Sequence, residues 1–165
     1  MKFVKESRIA ATPAAVFAFH EQPGALERLS PPWDRVEATG GGGSLQPGTK
    51  VTLKTYLGPI PLTWVAEHTE YDPPHKFADR QVSGPFARWY HVHHIEDDGQ
   101  GGTRLRDEID FDPPMGTLGR LLAGGFLRRK LQRTFDYRHN VTRRACEAGA
   151  TDEPVGAAEP KNSSF

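Results

Sequence analysis

Beyond two short helices near its start, the chain changes its periodicity at Pro113-Pro114. Before that point, apolar and polar residues alternate at every second position in short segments separated by Gly and Pro. After it, apolar residues recur three and four apart over one long stretch. An alternating segment must bury one face, and an amphipathic helix must bury one stripe. Many strands followed by a single long helix satisfy both needs most simply as an antiparallel sheet curved around that helix.

The segments can be placed individually. Residues Phe3–Ala10 alternate and read as a first strand. Thr12-Pro13 starts a short helix over Ala14–His20, with Thr12 as its cap and Pro13 at the first helical position. Pro23 opens a second short helix carrying Leu26 and Leu29, which Pro31-Pro32 closes. Strands are expected over Val36–Thr39, Thr49–Leu57, Ile60–Tyr71, Phe77–Ser83, Ala87–Glu96 and Thr103–Asp112. The intervening Gly58-Pro59, Asp72-Pro73-Pro74, Gly84-Pro85 and Asp97–Gly102 act as turns, which makes a meander. In the last element Leu118, Leu121, Leu122, Leu127, Leu131, Phe135 and Val141 have helical spacing. Gly124-Gly125 is expected to interrupt it, leaving Phe126–Ala148 as the better helix. The expected fold class is α+β: six to seven antiparallel strands wrapped around a long C-terminal helix, with two short helices after strand 1. Residues 1–149 form one domain, and the polar segment 150–165 reads as a disordered tail.

Composition narrows the function. With 21 Lys+Arg against 21 Asp+Glu the formal net charge is zero, which argues against nucleic acid and against a polybasic membrane arm. A single cysteine, Cys146, excludes an internal disulfide framework and a cysteine-based zinc site. No signal-peptide core and no run of about 18 apolar residues is present, so a cytoplasmic protein without a membrane span is expected.

The informative residues are those that break the alternation. In Thr103–Phe111 the inward set is Thr103, Leu105, Asp107, Ile109 and Phe111; in Ala87–Ile95 it is Trp89, His91, His93 and Ile95. Phe77, Asp79 and Gln81 form the inward set of Phe77–Ser83, and Leu62, Trp64 and Ala66 line up before His68. The inward faces are thus polar in the middle, at Asp79, Gln81, His91, His93 and Asp107. A carboxylate or imidazole against a dry core is costly unless paired. Three readings remain open: a satisfied internal network, a polar patch on a ligand cavity, or a register in which these residues face water. His91-x-His93 can offer two imidazoles from one strand face, but spacing fixes no third ligand, so no metal or other cofactor is expected.

Other signals carry less. Gly43–Lys50 has Thr-Lys where a phosphate loop needs Lys-Thr or Lys-Ser, and Gly40–Gly43 lacks a strand–turn–helix context. Asn140-Val-Thr142 is a sequon inside an expected helix, and Ser30 and Thr12 have no triad partners at a motif spacing. The basic run Arg128-Arg129-Lys130 with Arg133 and Arg143-Arg144 reads as the solvated helix face.

Three stretches are similar to the SRPBCC superfamily, also called START or Bet v 1-like, which includes polyketide cyclase/dehydrase and lipid-transport domains. They are Ile9–Phe17, Pro23–Trp33 and above all Phe77–His93, within a resemblance running from about Phe3 to Arg144. The pattern is similar to stand-alone SRPBCC proteins and to SRPBCC domains of epimerase-fused, cell-division-inhibitor-like proteins. The resemblance implies a helix-grip fold with a hydrophobic cavity under the last helix. No nicotinamide chemistry follows, because the epimerase-like partner is absent from this sequence.

The favoured function is intracellular binding of a hydrophobic small molecule such as a lipid, quinone or polyketide. Its expected lining is Trp64, Phe77, Asp79, Gln81, Trp89, His91, His93, Asp107, Ile109, Phe111, Leu131 and Phe135. A cyclase or dehydratase is the alternative, with His91 or His93 as acid or base, Asp79 or Asp107 setting the tautomer and Gln81 holding a carbonyl. A ligand-free interaction domain, such as a homodimer, is the third reading.

Overall fold

The computed structural model describes residues 1–34, 36–41, 43–57 and 60–150. Its elements run β1 (Lys2–Ile9), α1 (Pro13–His20), α2 (Ala25–Arg28), β2 (Glu37–Gly40), β3 (Lys50–Leu57), β4 (Ile60–Asp72), β5 (Lys76–Ser83), β6 (Arg88–Asp97), β7 (Thr103–Asp112) and α3 (Gly116–Ala150). One seven-stranded sheet has the order β1-β7-β6-β5-β4-β3-β2, with every neighbouring pair antiparallel. Consecutive strands from β2 to β7 therefore form a meander, and β1 closes it by pairing with β7. This is the expected helix-grip architecture.

The local signals act as the sequence suggests at α1, where Thr12 Oγ1 accepts the Ala15 N–H at 3.3 Å and Pro13 occupies the first turn. Two elements differ from expectation. The second helix is a single turn that begins at Ala25 instead of Pro23, because Gly24 caps it with φ 80°. The last helix begins at Gly116 and passes unbroken through Gly124 and Gly125. Glycine weakens a helix without removing a hydrogen-bond donor, so the surrounding Leu, Arg and Ala residues can carry the helix through the pair. The expected tail falls mainly on residues 151–165, and the Gly58-Pro59 turn on 58–59; both lie outside the described residues.

The interior has two apolar halves. One gathers Ile9, Phe17, Phe77, Ile95, Leu105 and Cys146. The other gathers Phe3, Trp89, Ile109, Phe111 and Phe135, with Trp64, Phe86 and Leu131 packed against it. Each well-buried side chain of this kind contributes about 1.5–3 kcal/mol. Along β7 the two halves are divided at Asp107, between Leu105 and Ile109; along β6 they are divided at His91 and His93, between Trp89 and Ile95. A polar layer thus crosses the middle of the core.

Candidate functional site

Antiparallel register builds this polar layer. Asp79 lies opposite His91, His93 lies opposite Asp107, and Trp89 lies opposite Phe111. Strand periodicity then puts all of them on the face covered by α3. His91, His93 and Asp107 are 2%, 8% and 3% exposed, which excludes the register in which they face water. Asp107 Oδ1 accepts from His91 Nε2 at 2.9 Å, and His93 Nδ1 lies 2.6 Å from the same oxygen without the alignment of a hydrogen bond. The second carboxylate oxygen, Oδ2, pairs with His139 Nε2 of α3 at 2.6 Å. On the other side of the imidazoles, Asp79 Oδ2 is 3.4 Å from His91 Nδ1 and 3.8 Å from His93 Nε2. The His93 ring also stacks on Phe77 at 4.0 Å between centroids, and His91 meets the edge of Phe135 at 5.3 Å.

Opposing effects set the protonation of these groups. Burial alone would raise the Asp107 pKa, but the three imidazoles around it hold the carboxylate well below its usual range. Asp79 behaves likewise: desolvation works against ionisation, and His91 and His93 more than offset it. Burial disfavours charge on His91, yet its two carboxylate neighbours raise it to about 9. His20 of α1 is the reverse case, lowered to about 4 by burial and by the nearby His93, while its Nδ1–H donates to the Val16 carbonyl at 2.8 Å. Burial also pushes down His68, and it pushes down Arg138 against the pull of Asp107, Asp79 and Asp34.

An aromatic wall adjoins the polar layer. Trp64 meets Trp89 at 4.8 Å and Phe86 at 5.5 Å, while Phe86 lies 5.0 Å from Trp89 and 6.0 Å from Phe111. Trp64 Nε1 is buried and has no hydrogen-bond partner. The expected lining residues Ile109, Phe111, Phe135 and Leu131 belong to this apolar half, whereas Phe77 belongs to the other. Gln81 does not present a free amide: Nε2 donates to the Phe86 carbonyl at 2.7 Å and Oε1 accepts the Phe86 N–H at 3.2 Å. A Cβ on Gly84 would stand 2.5 Å from Gln81 Oε1, so the absent side chain makes room for this clamp. The carbonyl-holding role expected for Gln81 is therefore replaced by closure of the β5–β6 turn.

Three participants escape the strand-based reading. Phe86 lies in a turn, and His20 ends a short helix. His139 continues the four-residue stripe Leu127, Leu131, Phe135, and its place on an apolar stripe is the signal that identifies it. In the first turns of α3, Leu118, Leu121, Leu122 and Phe126 are exposed, as is Met115 before it. A separate surface groove of about 460 Å³ runs between Trp33 and α3, lined by Arg129, Arg133, Tyr137 and Arg144 among others.

Comparison with known proteins fits this architecture. The family described as polyketide cyclase/dehydrase and lipid transport matches residues 1–147. The chain belongs to that family. No curated protein matches it. Among solved structures, the Zhui aromatase/cyclase from Streptomyces sp. R1128 is 18% identical with a TM-score of 0.69, over 91% of this chain and 95% of that one. A norcoclaurine synthase point mutant from Thalictrum, solved with a transition-state analogue, is 12% identical with a TM-score of 0.70, over 91% and 96%. A nucleoside-diphosphate sugar epimerase from Corynebacterium glutamicum is 23% identical with a TM-score of 0.65; the match covers 90% of this chain but only 30% of the epimerase. At these identities the likeness is one of fold, and fold alone assigns no chemistry. Among the described residues no helix is long and apolar enough to cross a membrane.

Proposed function

We propose that this family member binds a largely apolar small molecule that carries an oxygen acceptor, seated against the Trp64–Phe86–Trp89–Phe111 wall. The observation that carries the reading is the buried Trp64 N–H without a partner. An indole nitrogen withdrawn from water usually finds an acceptor, and an unmet donor costs about 1–3 kcal/mol. A ligand oxygen would satisfy it while the ligand's apolar body covers the rings. The exposed Leu118, Leu121, Leu122 and Phe126 support a route of entry along the first half of α3, where apolar side chains already face outward. Family membership supports binding or cyclisation of such molecules. The polar layer's His91 and His139 are engaged by Asp107, which favours binding over acid–base turnover.

Native mass spectrometry of the full chain from its host should show a bound lipophile. Titration of that compound should quench tryptophan fluorescence, and Trp64→Phe, which keeps an aromatic ring but loses the indole N–H, should weaken binding about twofold to tenfold. Absence of any bound lipophile, together with no thermal shift across a lipid and aromatic library, would refute the reading.

A further inference from the structure

Sequence spacing supplies two imidazoles, at His91 and His93, and no third ligand. The pairing of β5 with β6 supplies one. Asp79 stands opposite His91 in the register, and one ligand atom from each of Asp79, His91 and His93 falls within 4.8 Å of the others. The separations from Asp79 Oδ2, 3.4 Å and 3.8 Å, exceed those of good hydrogen bonds. The first equals the edge of a coordination shell, and the second would close by about 0.4 Å on an ion. Two ligands each about 2.0–2.1 Å from a tetrahedral ion lie about 3.3–3.4 Å apart.

The far side of the His91 ring is arranged as a metal-bound histidine requires. A ligating imidazole almost always gives its second nitrogen to a carboxylate or carbonyl, which fixes the ring and its tautomer. Here Asp107 takes the His91 Nε2 hydrogen bond at 2.9 Å, and His93 Nδ1 stands 2.6 Å from the same oxygen as a close charge contact without hydrogen-bond alignment. Asp107 is in turn held by His139 at 2.6 Å. His68, opposite Asp79 on β4, adds a further buried ring nitrogen without a partner, Nδ1. Charge balance agrees, because an ion that displaces the imidazole protons leaves two carboxylates to match its two positive charges.

We propose that Asp79, His91 and His93 form a binding site for one divalent transition-metal ion, with Asp107 as the carboxylate that orients His91 and faces His93. Two nitrogen donors select ions of the zinc, iron(II) or cobalt(II) kind over magnesium or calcium, which prefer oxygen. Three protein ligands leave at least one coordination position open. The site is independent of the apolar ligand proposed above, since Trp64 contributes nothing to it.

The test is titration of the EDTA-dialysed full chain with cobalt(II) chloride, followed by absorption spectroscopy and calorimetry. The expected result is saturation at one cobalt per chain, visible d–d bands, displacement by zinc(II) and a raised melting temperature. Asp79→Asn should lower affinity more than about a hundredfold, and His139→Gln, through Asp107, about tenfold. The exposed His75→Ala should change nothing. Circular dichroism checks that the variants fold. Copper(II) bound to the unmodified chain gives a measurement free of variants, because its electron spin-echo modulation should show two imidazoles. Absence of saturable one-to-one binding, undiminished affinity in folded Asp79→Asn, or a copper signal without two imidazoles would each overturn the site.

Discussion

Asp107→Asn is the sharpest perturbation of this core, since it removes one charge at almost constant volume. The carboxylate is 3% exposed and meets His91 at 2.9 Å, His139 at 2.6 Å and His93 at 2.6 Å. An amide can accept through one oxygen only, and its NH₂ group must face a ring nitrogen that now donates. The imidazolium favoured at His91 would also lose its closest counter-charge. Breaking a buried ion pair by deleting one partner costs about 3–5 kcal/mol. Taking about 4 kcal/mol and about 2–4 °C per kcal/mol for a domain of this size, the melting temperature should fall by about 8–16 °C. Urea denaturation at pH 7, followed by tryptophan fluorescence, measures the loss directly. The exposed Asp72→Asn should stay within about 0.5 kcal/mol of the parent. A double-mutant cycle with His139→Gln should give a coupling above about 1 kcal/mol. A loss below about 1 kcal/mol for Asp107→Asn would show that the charge of Asp107 does not hold the layer together, and the electrostatic account of the core would fall.

Other expectations concern α3 and its contacts. A Cβ at Gly125 meets nothing within 4 Å, so Gly125→Ala should stabilise by about 0.5–1 kcal/mol and raise the melting temperature, whereas a decrease would contradict an unbroken helix there. Gly124→Ala should gain less, because its Cβ would press on Met1 Cε at 3.1 Å. The Cys146 thiol is raised to about 11, chiefly by burial, so the reactive thiolate becomes scarcer in the folded state. At pH 8 a thiol raised from 9.0 to about 11 is ionised about ninetyfold less, and Ellman's reagent should react about ninetyfold more slowly than in urea. Equal rates would mean that Cys146 is open to solvent. Gly84→Ala should displace the Gln81 amide that clamps Phe86, and a loss of about 1–3 kcal/mol in urea denaturation is expected; an unchanged midpoint would discount the clamp.

The residues outside the sequence-based reading share a physical cause. Strand alternation reports which face of one strand is apolar, so it found Asp107, His91, His93 and Asp79 as exceptions on inward faces. It is blind to partners from other element types. His139 reaches Asp107 only because α3 lies across β7, and Phe86 reaches Trp64 only because the β5–β6 turn folds over the wall. Gln81 shows the converse error: it stands on the expected face, yet the turn that follows takes up its amide. Local rules also misjudged Gly124-Gly125, where propensity counted against a helix that the flanking residues sustain.

What the sequence by itself determined is the order of elements and the polar residues that interrupt the alternation as a candidate layer, because these follow from periodicity and turn chemistry. Only the tertiary structure decided how that layer is joined. Register set Asp79 against His91 and His93 against Asp107, and the packing of α3 brought His139 to the same carboxylate. Such pairings bring together residues far apart in the chain, at distances that no local pattern encodes.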